Sequence, residues 1–330
     1  MTLNVAYDSI FSYERLFASW RAFARGKRQR ADVAAYAVRL IDNISSLHRD
    51  LANGTWQHGG YRRFCVSDPK PRIIHKASVR DRIVHHAIMS ALGPYFERRF
   101  IPDSYSCRIG KGTHCALGRF AEFIRSGSRN DTRTCWVLQC DIRKCFASLD
   151  QRVLIALLSR HVPCEKLMRV LRSVIESYSS GASGAGIPLG NLTSQLFVNV
   201  YLHELDRFMG KTLRCLQYIR YADDFAVVSP NRAWLMSLVP HIRNFLGTAL
   251  KLQLHPGKLT LRTVASGVDF LGWVHFPNHR VLRTATKRRM FHALRRSAAL
   301  PTVASYLGLL GNGNTHRLVQ MVRGLAILHE

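Results

Sequence analysis

Two adjacent carboxylates, Asp223 and Asp224, interrupt the run Leu216-Gln217-Tyr218-Ile219-Arg220-Tyr221-Ala222-Asp223-Asp224-Phe225-Ala226-Val227-Val228. Short apolar, β-prone stretches flank them, so the spacing predicts a hairpin with acids at its tip. Like charges this close cost energy unless a cation neutralises them. Farther upstream, Gln139-Cys140-Asp141-Ile142-Arg143-Lys144-Cys145-Phe146 supplies a third acid, Asp141, at the end of a strand-like run. Three acids gathered in this way would hold two divalent ions, the device that clamps attacking and leaving oxygens in phosphoryl transfer.

The composition points to the material on which such chemistry would act. Lys and Arg number 48 against 21 Asp and Glu, a formal net charge of +27 over 330 residues. That excess opposes compaction and favours a polyanionic partner such as nucleic acid. From Arg280 to the end there are nine Lys or Arg residues and a single acid, Glu330. The eight cysteines are scattered without a Cys-x-x-Cys pair, which suits reduced thiols better than a disulfide framework. Cys135, Cys140 and Cys145 do not match structural zinc spacing and read as packing residues. Met1-Thr2-Leu3-Asn4-Val5-Ala6-Tyr7-Asp8 lacks the apolar length of a secretory signal, and no run approaches a membrane span. A cytoplasmic protein without a membrane partner is expected.

Positioning the acids falls to helices interrupted by a few antiparallel strands, an α+β pattern. Residues 8–52 read as basic helices, with Arg15, Arg21, Arg25, Lys27, Arg28 and Arg30 among Phe11, Leu16, Phe17, Trp20 and Phe23. Asn53-Gly54 signals a turn, Tyr61 to Val66 a strand, and Asp68-Pro69-Lys70-Pro71-Arg72 breaks it. Ser78 to Leu92 reads as a helix stopped by Gly93-Pro94, and 101–113 as a loop. A helix over Ala116 to Ile124, a strand over Trp136 to Asp141, and helices over Arg152 to His161 and Glu165 to Tyr178 follow. Ser179 to Gly190 reads as a glycine-rich connection and Leu192 to Phe208 as an amphipathic helix. Past the acidic hairpin come a helix near Ala233 to Leu250, strands at Leu259-Thr260-Leu261 and Phe270-Leu271-Gly272-Trp273-Val274, and a basic helical tail from Arg283.

Five segments then occur in order: Asp141 with Phe146 five residues on, Gly190-Asn191-Leu192-Thr193-Ser194-Gln195, Tyr221-Ala222-Asp223-Asp224, Leu254-His255-Pro256-Gly257-Lys258, and Phe270-Leu271-Gly272. Together they resemble the palm motifs of reverse transcriptases. Arg72 to Arg82 and Asp103-Ser104-Tyr105-Ser106-Cys107-Arg108 are similar to finger segments of bacterial retroelement enzymes. The likeness runs from about residue 60 to 275. It implies a right-hand polymerase fold with fingers, an antiparallel-sheet palm and a short helical thumb. The expected division is 1–60 as an N-terminal basic helical region, 61–275 as fingers and palm, and 276–330 as thumb.

The resemblance also implies roles. Asp141, Asp223 and Asp224 match catalytic acids that bind two Mg²⁺ ions, and Lys258 a candidate general acid for the leaving pyrophosphate. Arg72 matches a triphosphate contact, following Lys70 and ahead of Lys76. Phe146 falls where an aromatic ring stands against the sugar C2′, excluding a 2′-OH and favouring DNA synthesis. Gly190, lacking a Cβ, would admit the template–primer pair. Ser194 and Gln195 would open the following helix, whose amides can face phosphate. Phe270, Leu271 and Gly272 resemble the primer grip. Arg283, Lys287, Arg288, Arg289, Arg295 and Arg296 on a helical thumb would contact backbone phosphates.

Two positions depart from the commonest pattern. Leu189 stands where many reverse transcriptases have Gln, and Gln195 where many have Pro. Leu before the glycine with Gln after the serine resembles the reverse transcriptases of diversity-generating retroelements. Those enzymes copy a template-repeat RNA, misincorporate opposite adenines, and work with a small basic accessory protein. The expected function is therefore an RNA-directed DNA polymerase whose partners are a structured template RNA, primer and cDNA, dNTPs and such an accessory protein. An intron-like or antiviral-defence bacterial reverse transcriptase is the alternative; the short tail speaks against a full intron protein. A non-catalytic RNA-binding scaffold is a rival of another class, and the intact acids speak against it. Gly110-Lys111-Gly112-Thr113 lacks the leading glycine and trailing Ser or Thr of a P-loop. His85-His86 and His114-Cys115 lack further ligands at zinc spacing.

Overall fold

The computed structural model describes residues 2–67, 71–181, 184–296 and 299–327, with side chains up to 325. The break expected at Asp68-Pro69-Lys70 lies outside the described residues. Four helices fill the N-terminal stretch: α1 (Tyr7–Ile10), α2 (Tyr13–Ala24), α3 (Ala31–Val38) and α4 (Leu40–Ala52). Ser12 caps α2, its hydroxyl accepting the Arg15 amide. Leu16, Trp20 and Phe23 turn inward while Arg15, Arg21 and Arg25 stay exposed, the division expected of a surface helix.

β1 (Tyr61–Val66) and β2 (Arg72–Ala77) form an antiparallel hairpin. Next comes α5 (Val79–Glu97), capped by Ser78. Gly93-Pro94, expected to stop this helix, sits inside it. An interior proline costs roughly 3 kcal/mol, and burial of the Leu92 and Phe96 side chains on either side of it offsets that cost. The expected loop over 101–113 contains a short strand, β3 (Ser104–Tyr105). Then follow α6 (Thr113–Gly127), β4 (Trp136–Asp141), α7 (Cys145–Ser148), α8 (Gln151–Ser159), α9 (Glu165–Glu176) and α10 (Leu192–Arg207). α10 is less one-sided than expected: Thr193, Ser194, Asn199 and Asp206 are buried along with its apolar residues, and Gln195, His203, Glu204 and Arg207 are the polar residues that reach water.

The acidic hairpin consists of β5 (Tyr218–Tyr221) and β6 (Asp224–Ser229), followed by α11 (Arg232–Ala249) and β7 (Thr260–Thr263). The strand expected through Phe270 to Val274 is two strands, β8 (Val268–Phe270) and β9 (Trp273–His275). Leu271 and Gly272 adopt φ of +51° and +85° and turn the chain back, as a two-residue hairpin loop requires. β10 (Arg280–Leu282) and helices α12 (Thr284–Arg296), α13 (Leu300–Leu310) and α14 (His316–Ile327) complete the described chain.

The chain divides into two compact units, and one of the boundaries between them falls within α11. The first comprises Met1–Pro102, Ile142–Thr212 and Ile242–Leu254. It is mostly helical, with α5 packed against α2 and α10. Buried Gln151 gathers three carbonyls there, its Nε2 sharing two N–H groups among Ile175, Tyr178 and Gly186 at 3.0, 2.7 and 2.9 Å. The second comprises Asp103–Asp141, Leu213–His241 and His255–Glu330. Its five-stranded sheet has the order β3-β5-β6-β4-β7, antiparallel except for the β3–β5 pair. A three-stranded meander, β8-β9-β10, lies in the same unit. Phe120, Phe270, Trp273, Met290 and Leu294 belong to its core. Cys135, Cys140 and Cys145 are buried packing residues, and all eight cysteines are free. Among the described residues no helix is long and apolar enough to cross a membrane.

Candidate active site

β4 ends on Asp141, β6 begins on Asp224, and the register pairs these two residues directly. Ala222 and Asp223 form the two-residue turn between Tyr221 and Asp224, so Asp223 stands at the tip. The three acids thus share one end of the sheet in the second unit. Ala222 adopts φ +54°, a left-handed conformation that costs an L-residue about 1–2 kcal/mol. This is how the turn closes without the Asn-Gly or Asp-Gly of ordinary tight hairpins. Neighbouring groups hold it. The Ala222 amide donates to the Tyr105 carbonyl at 3.2 Å, and Arg220 Nη1 donates to the Ala222 carbonyl at 3.0 Å. The Thr113 and Tyr221 hydroxyls lie 3.0 Å apart. Strain over-determined in this way is characteristic of functional sites.

Carboxylates directly opposite one another across a ladder repel. The Asp224 carboxyl is pushed up to about 7, first by desolvation, then by a hydrogen bond shared with Asp141 and by the charges of Asp223 and Asp141. Its residue as a whole still opens to solvent. Lys258 opposes that rise, and its ammonium forms an ion pair with Asp141 Oδ2. The same hydrogen bond raises the Lys258 pKa. Backbone bonds carry the lysine there: the His255 amide donates to the Asp141 carbonyl at 2.7 Å, and the Lys258 amide to the His255 carbonyl at 3.2 Å. Among the described residues no group of three or more His, Cys, Asp or Glu side chains is poised to hold a metal ion. Lys258 takes one Asp141 oxygen instead. The donor set, three carboxylates against one half-exposed monovalent cation, nevertheless has the hard-oxygen chemistry of a divalent site.

In the first unit, the segment ahead of α10 lies along β2. The His75 amide donates to the Leu189 carbonyl at 3.0 Å. Asn191, buried, accepts the Ala77 amide at 3.4 Å and donates to the His75 carbonyl at 2.8 Å. Gly190 between them has φ +107°, and a Cβ there would stand 2.5 Å from Ile74 Cγ2. The glycine expected for close approach to a template–primer pair is thus also required by β2. α10 starts at Leu192, so Ser194 and Gln195 lie within its first turn and do not open it. Leu189 is half-buried. Phe146 lies on α7, half-buried, and its carbonyl accepts the Ile187 amide at 2.8 Å. Arg72 is exposed at the start of β2. Lys76 pairs with Asp32 at 2.7 Å, an acid it shares with Arg82.

Phe270, Leu271 and Gly272 form the β8–β9 turn of the second unit. Gln139, two positions before Asp141 on β4, donates to the Asp269 carbonyl at 2.7 Å, tying this turn to the strand that carries the acid. Arg283 pairs with Asp269 at 3.0 Å and donates its amide to the Gly272 carbonyl at 3.0 Å. Gln139, Asn191 and Arg220 received no role from sequence. For Arg220 a signal existed: a charged residue inside an apolar strand run, here fully buried.

Comparison with known proteins adds what geometry alone does not. A family model described as reverse transcriptase (RNA-dependent DNA polymerase) matches residues 67–275. Protein YkfC of Escherichia coli (strain K12) is 26% identical over 303 residues, covering 80% of this chain and 77% of YkfC. Group II intron-encoded protein LtrA of Lactococcus lactis subsp. cremoris is 21% identical over 318 residues, covering 75% of this chain and 51% of LtrA. Among solved structures, apo telomerase from Candida tropicalis matches with a TM-score of 0.50 at 12% identity. That match covers 67% of this chain and 48% of the telomerase chain, a likeness of fold. The chain therefore spans about half the length of LtrA and of the telomerase chain.

Proposed function

The chain belongs to the reverse transcriptase family, the RNA-directed DNA polymerases of right-hand fold, and on that premise we propose that it copies a structured template-repeat RNA for a diversity-generating retroelement, with errors directed to template adenines. The observation that carries its assignment as a working polymerase is the in-register pairing of Asp141 with Asp224 beside the Asp223 turn. The diversification reading rests on Leu189 before Gly190 and Gln195 after Ser194. An apolar Leu189 cannot hydrogen-bond the incoming nucleotide as an amide would, which loosens discrimination.

In this reading Asp141, Asp223 and Asp224 hold two Mg²⁺ ions. Bound there, the ions would lower the pKa of the primer 3′-OH and neutralise charge on the triphosphate. Lys258 leaves Asp141 and protonates the departing pyrophosphate. Arg72 grips the triphosphate through its guanidinium fork. Phe146 excludes a 2′-OH. The Phe270-Leu271-Gly272 turn supports the primer end, and the basic helix α12 contacts backbone phosphates as part of a thumb spanning 276–330. Residues 1–60 bind structured RNA or a small basic accessory protein, and 61–275 form fingers and palm. The proposed compartment is the cytoplasm, which suits eight free thiols.

The likeness to an intron-encoded protein favours a second reading, an intron-type reverse transcriptase. One experiment addresses both. Purified protein is given an RNA template, primer, dNTPs and Mg²⁺, and the cDNA is sequenced. Extension that Asp223→Asn abolishes is expected, with errors concentrated opposite adenine and reduced by Leu189→Gln. Robust extension by Asp223→Asn overturns the acid assignment. Equal error rates at all four template bases overturn diversification and leave the intron-type reading.

A further inference from the structure

A groove of about 600 Å³ in the second unit lies between α6, the β9–β10 turn and the loop joining α13 to α14. It sits at the far end of the meander from the Leu271–Gly272 turn, across the whole of β9, roughly 10–13 Å at strand rise. Its makeup differs from that of an apolar cleft. Phe276 and His279 stack at 4.9 Å with an interplanar angle of 11°, and His279 is the exposed member of the pair. Amide side chains come from Asn278 on the turn and Asn314 on the opposite loop, and Arg125 comes from α6.

A buried polar group faces the same space. His275, 2% exposed, lines the groove, and its Nε2 has no hydrogen-bond partner. Burial, then the nearby Arg280, pushes this ring down to about 4, so at neutral pH it offers one N–H and one lone pair. An orphaned buried nitrogen calls for an explanation, and a ligand edge supplies one. The far wall is built to stay close. Arg280 Nε donates to the Asn312 carbonyl and the Asn314 amide to the Arg280 carbonyl at 3.0 Å. At Gly313 a Cβ would collide with the Trp273 ring.

We propose that this groove binds an unpaired nucleotide of RNA, its base stacked on His279 and read by the Asn278 and Asn314 amides, with Arg125 on the phosphate. A planar platform, amides for a base edge and a cation for the backbone are how proteins hold single-stranded RNA. The proposal rests on this chain acting on RNA. The site would hold template RNA away from the turn where the chain is extended.

The probe is an unstructured single-stranded RNA carrying 4-thiouridine, crosslinked to the full chain with no competing RNA present. Crosslinks in the peptide holding Phe276 to Arg280 are expected. His279→Ala and Asn278→Ala, both exposed positions that leave the core intact, should weaken fluorescent-RNA binding by roughly 5- to 100-fold, the range one lost stack covers. Both variants should extend a short generic primer–template within about two-fold of the parent. Absence of that crosslink, or unchanged binding by the double variant, overturns the site. Full protection by adenosine monophosphate at RNA-like affinity overturns the RNA assignment in favour of a small-nucleotide site. Crosslinks without any primer extension by the parent leave the groove standing and count against polymerisation.

Discussion

Replacing Gly190 by Ala tests why a glycine stands there. The added Cβ would meet Ile74 Cγ2 at 2.5 Å, and that methyl hangs on a β-branched carbon that rotates poorly. Two costs add. Holding an L-residue at φ +107° takes at least about 1–2 kcal/mol, and forcing an extra carbon into a filled contact takes about 1–3 kcal/mol. Gly190→Ala should therefore destabilise the protein by about 2–5 kcal/mol and weaken the β2 contact made by His75 and Asn191. Ile74→Ala removes the colliding methyl but leaves the backbone cost. In that background Gly190→Ala should lose only the first term, a coupling of about 1–3 kcal/mol between neighbours. Urea unfolding of the four variants measures the cycle. Amide exchange at His75 and Ala77 reports it locally, since those amides bond Leu189 and Asn191. Equal costs in both backgrounds, within about 0.5 kcal/mol, would show that the approach to β2 is not what requires the glycine.

Other predictions follow from the acids and their supports. Lys258→Met, which removes the cation from Asp141, should lower primer extension about 100-fold, the scale of a lost general acid. Its melting temperature should rise more with added Mg²⁺ than that of the parent, because Asp141 is then free for the ion. Arg220→Met should destabilise by roughly 2 kcal/mol through loss of the charged hydrogen bond to Ala222, and Arg220→Lys should recover only part of it in the same unfolding assay. His275 has its folded pKa depressed from 6.5 to about 4. The unfolded chain therefore binds this proton first, and stability present above about pH 6.5 is lost as pH falls toward 4. The loss reaches about 3 kcal/mol. The stability of the parent relative to His275→Phe should fall by roughly 2 kcal/mol from pH 7 to 5, and a constant difference would refute it.

Much of this was legible in the chain because local pattern and global position agree. The acidic hairpin is legible from its two β-prone runs, although its turn is Ala222-Asp223 and Asp224 already belongs to β6. The strand over Trp136 to Asp141 and the helices over 152–161 and 165–178 follow from periodicity alone. What sequence could not provide were effects decided by tertiary burial. Gly93-Pro94 reads as a stop, yet α5 passes through because burial of Leu92 and Phe96 together offsets the missing bond. Leu192 to Arg207 reads as one-sided, yet Thr193, Ser194, Asn199 and Asp206 are buried with its apolar residues. Asn191 and Gln139 look like ordinary loop and strand residues until the backbone groups they bond arrive from more than a hundred positions away. The αL turn at Leu271–Gly272 was hidden because leucine rarely accepts that conformation.

Support along the larger sheet is uneven. The strand ending in Asp141 has ladder partners on both flanks, six rungs with β6 and four with β7. The outer flank of β5, beside the Asp223 turn, has only the two rungs of β3. Mechanical stiffness therefore falls from one carboxylate to the next, leaving a fixed reference point beside an adjustable one. Distortion from an ill-fitting base pair would be absorbed by the soft tip and its strained alanine, and the anchored strand would keep its place through each catalytic cycle.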